Sequence, residues 1–297
     1  MYSFTALRTL YGDDTNRDTA SHLTKGDRKI NSSYRRILGM KPWWFLETTA
    51  TDTSVASQQA YDLPYDIDKL NTVYVTISTT RYVPEEITDR ATWDRLNQSS
   101  GVTSDIPSYF FIQDDSIEFY PTPSSSGNTI TYVYKKRMVD LEIADYTTGT
   151  ITDATNGATG ITGNGTTWTA AMAGRYIKVD PDTGDGHWYK IASVTNNTTL
   201  VLDRAYQGTT FTGGSGTYTI GQMSLLPENY QDLPELDAVY QYWNLQNNGV
   251  NRADRFKAQF DEKMAQMRLD HGKKTTNVSV GSDQDIRMEN PNLYITA

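Results

Sequence analysis

The first clear periodic pattern lies between residues 20 and 40. Apolar residues recur there near a 3.6-residue period, and basic residues fall on the other side. The apolar positions are Leu23, Ile30, Tyr34, Ile37 and Leu38, and the basic ones are Arg28, Lys29, Arg35 and Arg36. The pattern predicts an amphipathic helix that stops at Gly39, because glycine favours a helix end and Pro42 cannot continue the helix.

The next hundred residues predict strands and one short helix. A β-branched run covers residues 47–55, and residues 70–79 and 129–136 alternate in polarity as half-buried strands do. Residues 108–113 and 116–120 predict a hairpin around Asp114-Asp115. A short helix is expected over residues 88–97, with Thr88 as its N-cap.

Residues 143–222 have a different composition, rich in Thr, Gly and Asn, and show no convincing helical period. Short β-prone stretches are separated by turn signals. The stretches are 174–179, 187–194, 199–202 and 217–220, and the turns are 182–186, 196–197 and 213–214. We expect a small all-β barrel or sandwich of about 80 residues, inserted at a loop of the surrounding chain.

Helical periodicity returns after Met223. Helices are expected from about Tyr230 to Asn247 and from Val250 to His271, with a break at Gly249. Beyond Gly272 the pattern fades, so residues 273–297 are interpreted as an extended C-terminal arm.

These patterns together predict an α+β protein: a helical bundle plus antiparallel β-strands, an inserted all-β barrel or sandwich, and the arm. The predicted domains are a core of residues 1–141 and 223–272, an inserted module of residues 143–222, and the arm of residues 273–297.

The composition narrows the function. A formal net charge of −9 is unfavourable for gripping duplex DNA, because phosphate binding needs Lys and Arg. The absence of cysteine excludes disulfides, thiolate nucleophiles and Cys-based metal sites. Residues 1–20 contain no signal-peptide pattern, and no apolar run is long enough for a membrane helix. A cytoplasmic or particle-bound protein is expected, with no membrane partner.

Candidate catalytic groups are weak. The acidic clusters 114–118 and 180–185 are far more typical of turns than of paired acid and base carboxylates. The three histidines, His22, His187 and His271, are widely spaced, and no serine stands in a GxSxG setting. Gly160, Gly163 and Gly165 lack the ending of a phosphate-binding loop. We therefore predict no enzyme activity, no catalytic or metal-ligating residue and no cofactor.

Two groups of aromatic residues suggest binding. Trp168 and Trp188 in the β module provide either a stacking platform for sugars or the core of a small barrel, and the core interpretation is favoured. Trp43, Trp44 and Phe45 are consecutive, so they cannot all point into one small core. At least one of them is expected to contact a neighbouring subunit.

An ordered set of short motifs resembles the head-to-tail connector (adaptor) proteins of tailed bacteriophages. The set begins with the first helix, WWF and a β-branched run. It continues with QAYDLP at 59–64, residues 93–97, PSY at 107–109, IEFYPTP at 117–123, YVYKK at 132–136 and LPE at 226–228 followed by two helices. The resemblance covers about residues 1–141 and 223–272, whereas simpler adaptors lack the β module.

This resemblance implies a structural virion protein at the head–tail junction, assembled in the cytoplasm of the bacterial host. Its partners would be the portal protein, identical subunits in a ring that is commonly dodecameric, and tail or nozzle proteins. The ring would line the DNA exit channel, and duplex DNA would pass without sequence-specific binding. The arm would dock into the portal through its tip: Asn290, Pro291, Leu293, Tyr294 and Ile295.

A second hypothesis belongs to a different class. The β module would then be a tail-associated binding module that recognises host glycan through Trp168 or Trp188.

Overall fold

The structure is a computed structural model that describes residues 1–98, 101–180, 184–246 and 249–272. The predicted arm, including the five residues of its tip, lies outside the described residues.

Five α-helices are present in these ranges. They are α1 (Phe4–Thr15), α2 (Ala20–Gly39), α3 (Arg90–Asn97), α4 (Leu233–Asn244) and α5 (Val250–His271). Helix α2 ends at the predicted Gly39, and the Thr88 cap is wrong by one residue. The Asp89 carboxylate caps α3 instead, accepting a 2.8 Å hydrogen bond from the Thr92 backbone N–H, because a carboxylate at this position reaches the free N–H groups of the first turn.

Helix α1 was not predicted. Its Ser3 hydroxyl accepts a hydrogen bond from the Ala6 N–H, and Asn16 ends the helix with φ 53°. Only three large apolar residues of this helix, Phe4, Leu7 and Tyr11, are buried, so the apolar stripe is narrow in the sequence.

Eight strands of the first half form two sheets. The strands are β1 (Glu47–Thr53), β2 (Ala60–Asp62), β3 (Ile67–Ile77), β4 (Thr80–Tyr82), β5 (Glu85–Glu86), β6 (Tyr109–Gln113), β7 (Ser116–Tyr120) and β8 (Thr129–Lys136). One sheet has the order β1-β8-β3-β4 and the other β2-β7-β6-β5. The predicted hairpin is confirmed as β6–β7, where Gln113 pairs with Ser116 and Asp114 adopts φ 52° in the two-residue turn.

The two sheets share one hydrophobic core. Strands β3 and β8 of the first sheet and β2, β6 and β7 of the second contribute its buried side chains. These are Tyr61, Val73, Val75, Phe110, Ile117, Phe119, Ile130, Tyr132 and Tyr134.

The second half of the chain contains a separate seven-stranded antiparallel sheet, here called the β module. Its strands are β9 (Thr150–Ala154), β10 (Gly160–Asn164), β11 (Tyr176–Val179), β12 (Trp188–Asn196), β13 (Thr199–Leu202), β14 (Phe211–Gly216) and β15 (Tyr218–Gly221). The order is β14-β9-β10-β13-β12-β11-β15. The edge strands β14 and β15 do not pair with each other, so the sheet does not close and forms a half-barrel.

The predicted turn at Gly213-Gly214 is wrong. Both glycines lie inside β14, in an irregular stretch where the register against β9 shifts between Thr212 and Gly216. Gly213 has φ +68°, a conformation that glycine adopts without strain, so a bulge takes the place of the turn.

Helices α1, α2, α4 and α5 pack against one another. Helix α4 contacts α1, α2 and α5. One hydrophobic cluster joins apolar residues of α2 to apolar residues of α5, as the apolar periodicity of these two helices indicates. Its members include Tyr34, Ile37, Phe260, Met264 and Met267. A second cluster, with Tyr11, Ile30 and Val239, joins α1, α2 and α4.

Helices α1 and α2 approach each other closely at Gly26. A Cβ atom there would lie 2.3 Å from Cε1 of Tyr11, whose side chain is 1% exposed. Only glycine allows this approach, since the buried ring has no free space to move into.

We therefore expect Gly26→Ala to destabilise the protein by about 1–3 kcal/mol through overpacking. The matched control is Gly39→Ala on the same helix, where no atom lies within 4 Å of the new Cβ. Urea unfolding measures both variants, and the control should be neutral or more stable by up to about 1 kcal/mol. Equal stability of the two variants would contradict the packing argument.

Candidate functional site

The three consecutive aromatic residues occupy three different environments. Trp43 is 2% exposed and donates a 2.9 Å hydrogen bond from Nε1 to the Ile37 carbonyl. Phe45 is half-buried and stacks on Trp43 with ring centroids 5.8 Å apart. Trp44 is 54% exposed, so its indole is available for an external contact.

The end of α5 completes this cluster, here called the aromatic corner: Trp43, Trp44, Phe45, Tyr230 and His271. The His271 ring lies 5.6 Å from Trp44, 5.9 Å from Phe45 and 5.5 Å from Tyr230 between ring centroids. Tyr230 donates a hydrogen bond to the Asp270 carboxylate, and burial together with this carboxylate raises the pKa of Tyr230 to about 12.

The aromatic corner is also the place where the described chain ends. Gly272 forms an isolated antiparallel bridge with Trp43, and its N–H donates a 3.1 Å hydrogen bond to the Arg268 carbonyl. The chain therefore leaves α5 beside the exposed Trp44.

Polar side chains hold both connections of the β module. Asn31 on α2 is 7% exposed and forms two hydrogen bonds with Leu141, one to its carbonyl at 3.0 Å and one from its N–H at 2.8 Å. The Gln222 side-chain oxygen accepts from the N–H groups of Glu142 and Ile143, both at 2.8 Å.

The start of α1 binds the same connections. The Ser3 hydroxyl donates to Asp145 at 2.7 Å, and the Phe4 N–H donates to the Gln222 carbonyl at 2.8 Å. The two connections also pair with each other through a bridge between Tyr146 and Ile220. These contacts fix the β module against the helices; we call them the module junction.

The two tryptophans proposed for sugar stacking lie in different places. Trp168 is 2% exposed and donates a 2.9 Å hydrogen bond to the Tyr218 hydroxyl inside the module core, so its ring offers no face to a glycan. Trp188 is half-buried and lines a cavity of about 700 Å³, with the Lys178 amino group 5.3 Å from the centre of its ring.

The acidic clusters have structural contacts. Asp114 and Asp115 form the β6–β7 turn, and Glu118 accepts a 2.8 Å hydrogen bond from Trp93 Nε1. Asp185 accepts hydrogen bonds from the Tyr189 hydroxyl and the His187 N–H. Within the described ranges, no group of three or more His, Cys, Asp or Glu side chains could hold a metal ion.

Two carboxyl groups meet inside the helices. Glu235 on α4 is 2% exposed, and burial, followed by the nearby Asp14 carboxyl, raises its pKa to about 9. Burial likewise raises the pKa of Asp14. Glu235 is therefore protonated at neutral pH and can share its proton with Asp14.

In the parts of the chain that the structure describes, no helix is long and apolar enough to cross a membrane.

Several contact residues were missed by the sequence analysis. Asn31 could have been found from the sequence, because it is a polar residue beside Ile30 in the apolar stripe of α2. Gln222 and Tyr230 left no pattern, because their contacts depend on segments that are distant along the chain.

Aromatic side chains are enriched at protein–protein interfaces, so the exposed Trp44 fits a subunit that contacts other proteins. The comparison with known families agrees with this class. Residues 4–155, just over half of the chain, match the SU10 adaptor protein family. The chain belongs to this family and is a structural adaptor protein of a bacteriophage. No individual curated protein matches the chain.

The match ends at residue 155, directly after β9. It therefore includes α1, α2, α3 and both sheets of the first half, together with Trp43, Trp44 and Phe45. The remaining strands of the β module and helices α4 and α5 lie outside the match.

The buried Glu235 predicts a pH dependence of stability. The pKa of Glu235 in the folded protein lies above the unfolded value of about 4.3. The stability that its retained proton contributes is therefore fully present below a pH of about 4.3. The contribution is lost as the pH rises towards 9, because the unfolded chain releases a proton that the folded chain retains. The slope from one such group is at most about 1.4 kcal/mol per pH unit.

We expect Glu235→Gln to remove this slope and to make the protein more stable than wild type at pH 8. Urea unfolding at pH 5, 7 and 9 measures the effect. Glu262→Gln is the control, because Glu262 is exposed on α5. A variant that keeps the wild-type slope would show that Glu235 is not the group responsible.

Proposed function

We propose that this protein forms the adaptor ring that joins the portal vertex of the phage head to the tail. Membership of the SU10 adaptor protein family is the observation that carries this proposal. The subunits would form a closed ring through repeated heterologous contacts, in which one surface of each subunit meets a different surface of the next. The ring would be a dodecamer at the head–tail junction, assembled in the host cytoplasm.

The aromatic corner supports a role in assembly. Trp44 exposes half of its side chain on a surface that Trp43, Phe45 and His271 hold in place. An aromatic side chain fixed in this way loses little conformational entropy when a partner covers it, which favours its use as an interface anchor.

The acidic character of the chain supports a role around passing DNA. With a net charge of −9, the subunit favours weak contact with phosphate groups, so that duplex DNA would move through the ring without sequence-specific binding.

The domain organisation remains part of the proposal. Residues 1–141 and 223–272 would form the adaptor core, and residues 143–222 would be the inserted module. Two features support an insertion: the module core draws only on residues between Ile151 and Ile220, and its two connections lie side by side at the module junction. Tail or nozzle proteins would contact the ring on its tail side.

The glycan-binding alternative depends on Trp188 alone, since Trp168 belongs to the module core. The cavity beside Trp188 is concave enough for a ligand, but nothing among its contacts selects a sugar over another ligand.

Electron microscopy of the protein mixed with the portal ring of its phage tests the proposed function. A rotationally symmetric collar on the portal is the expected result. A protein that stays monomeric in the presence of the portal, or that binds only distal tail proteins, would contradict the adaptor ring.

The C-terminal segment should be needed for docking and not for folding. The described hydrophobic cores end at Met267, so deleting residues 273–297 removes none of their side chains. We expect the deletion variant to keep the wild-type melting temperature within about 2 °C and to lose portal binding in the same microscopy assay. A deletion variant that still forms the collar would contradict the docking role of residues 290–295.

Trp44 should contribute to contacts between subunits. Trp44→Ala removes an exposed indole, so the stability of the monomer should change by less than about 1 kcal/mol while ring formation weakens by tenfold or more. Val83→Ala, at a residue that is 67% exposed, is the control. Analytical ultracentrifugation over a concentration series measures ring formation, and equal assembly of both variants would exclude Trp44 as an anchor.

A further inference from the structure

A cavity of about 320 Å³ lies between the β module and the helical part of the chain. We call it the junction cavity. Its charged lining residues are Asp66, Lys136, Arg137, Arg175 and Lys190, and Ser224 is among its uncharged polar ones. Four of the five charged side chains are cationic, although the chain as a whole carries a net charge of −9. The local charge is therefore opposite in sign to that of the protein.

Two buried polar atoms of this lining have no hydrogen-bond partner within the described part of the chain. They are Nε of Arg175 and Oγ of Ser224, and Ser224 is only 6% exposed. A buried donor without an acceptor costs free energy, and few such groups occur in folded proteins. Eleven buried side-chain atoms of the described chain lack a partner, and these two both belong to residues that line this cavity, where a bound acceptor would satisfy them.

The single carboxylate among the described lining residues cannot supply that acceptor. Asp66 accepts a 2.6 Å hydrogen bond from the Tyr134 hydroxyl, and its other oxygen lies 3.9 Å from the Lys136 amino group. Arg175 and Lys190 form no ion pair with any other described residue, so their charges are not neutralised within the part of the chain that the structure describes. Burial lowers the pKa of Arg175, the expected effect where a cation lacks a counterion.

We infer that the junction cavity is an oxyanion-binding site, which takes a phosphate or carboxylate group between Arg175, Ser224 and Lys190. An oxyanion would accept hydrogen bonds from both unpartnered atoms and would neutralise the two free cations. Such charge-assisted bonds are stronger than those between neutral groups.

The surroundings define the class of ligand further. The junction cavity shares Tyr176 and Lys190 with the larger cavity of about 700 Å³, which Trp188 and Arg204 also line. A ligand with its oxyanion at Arg175 could extend into this larger space. Inorganic phosphate and citrate serve as probes of the two oxyanion types.

This inference does not depend on the adaptor ring, because the junction cavity lies within one subunit. Anion binding can be measured on the isolated protein, without portal or ring. Failure to bind an anion would leave the proposed function unaffected, and failure to form a ring would leave the anion site unaffected.

The test is isothermal titration calorimetry with phosphate and, separately, with citrate, at constant ionic strength against chloride. The variants are Arg175→Gln and Ser224→Ala, and the control is Arg28→Gln, which removes an exposed arginine of α2. Circular dichroism checks that each variant is folded. If Arg175→Gln does not fold, Arg175→Lys takes its place, since lysine keeps the charge but lacks the Nε donor of arginine.

We expect saturable binding of at least one of the two anions to wild type and to Arg28→Gln. The dissociation constant should increase about tenfold or more in the Arg175 variant, as expected for loss of a hydrogen bond between charged groups, and less in Ser224→Ala. Binding of phosphate alone would identify a phosphate ligand, binding of citrate alone a carboxylate, and binding of both a general oxyanion site. No binding of either anion, or equal binding to all variants, would overturn the inference.

Discussion

The arrangement of the whole molecule depends on how Asn31 is satisfied inside α2. This side chain is almost completely buried, and its amide group uses both its donor and its acceptor on the backbone of Leu141. A buried amide without partners is costly, as is a buried backbone group, so each side of this contact requires the other. The connection into the β module must therefore pass Asn31 at one fixed point. Gln222 holds the returning connection beside it, so two amide side chains contribute to the position of the module together with the other contacts of the module junction.

The sequence predicted the helices and strands whose apolar residues recur with a clear period. It did not predict contacts between segments that are distant along the chain. Helix α5 and strand β8 were predicted with their observed bounds, because apolar spacing within a single segment is enough to define them. Strands β9, β10 and β14 were missed, since Thr and Gly dominate them and β10 buries only one large apolar side chain, Ile161. The unusual run of aromatic residues at 43–45 was visible in the sequence. The donors of the junction cavity were not, because Arg175 and Ser224 meet only after the module has docked.

Helix α4 carries two buried carboxyl groups whose surroundings differ. Asp237 is 2% exposed and has cationic and polar partners, with Arg36 as its ion pair and Gln241 at 2.7 Å. Glu235, two residues earlier and equally buried, faces the Asp14 carboxyl and retains its proton. Burial alone does not decide the charge of a carboxyl group; the partner that the fold brings to it does.

Helix α2 contacts both the aromatic corner and the wall of the junction cavity. At its C-terminal end the Ile37 carbonyl accepts the hydrogen bond from Trp43, which supports the aromatic corner. One turn earlier the Tyr34 hydroxyl accepts from the Leu225 N–H, next to Ser224 in the wall of the junction cavity. A regular helix is rigid over this distance, so the exposed Trp44 and the junction cavity keep a fixed separation. The relative position of the proposed subunit contact and the proposed anion site is therefore set by a single helix.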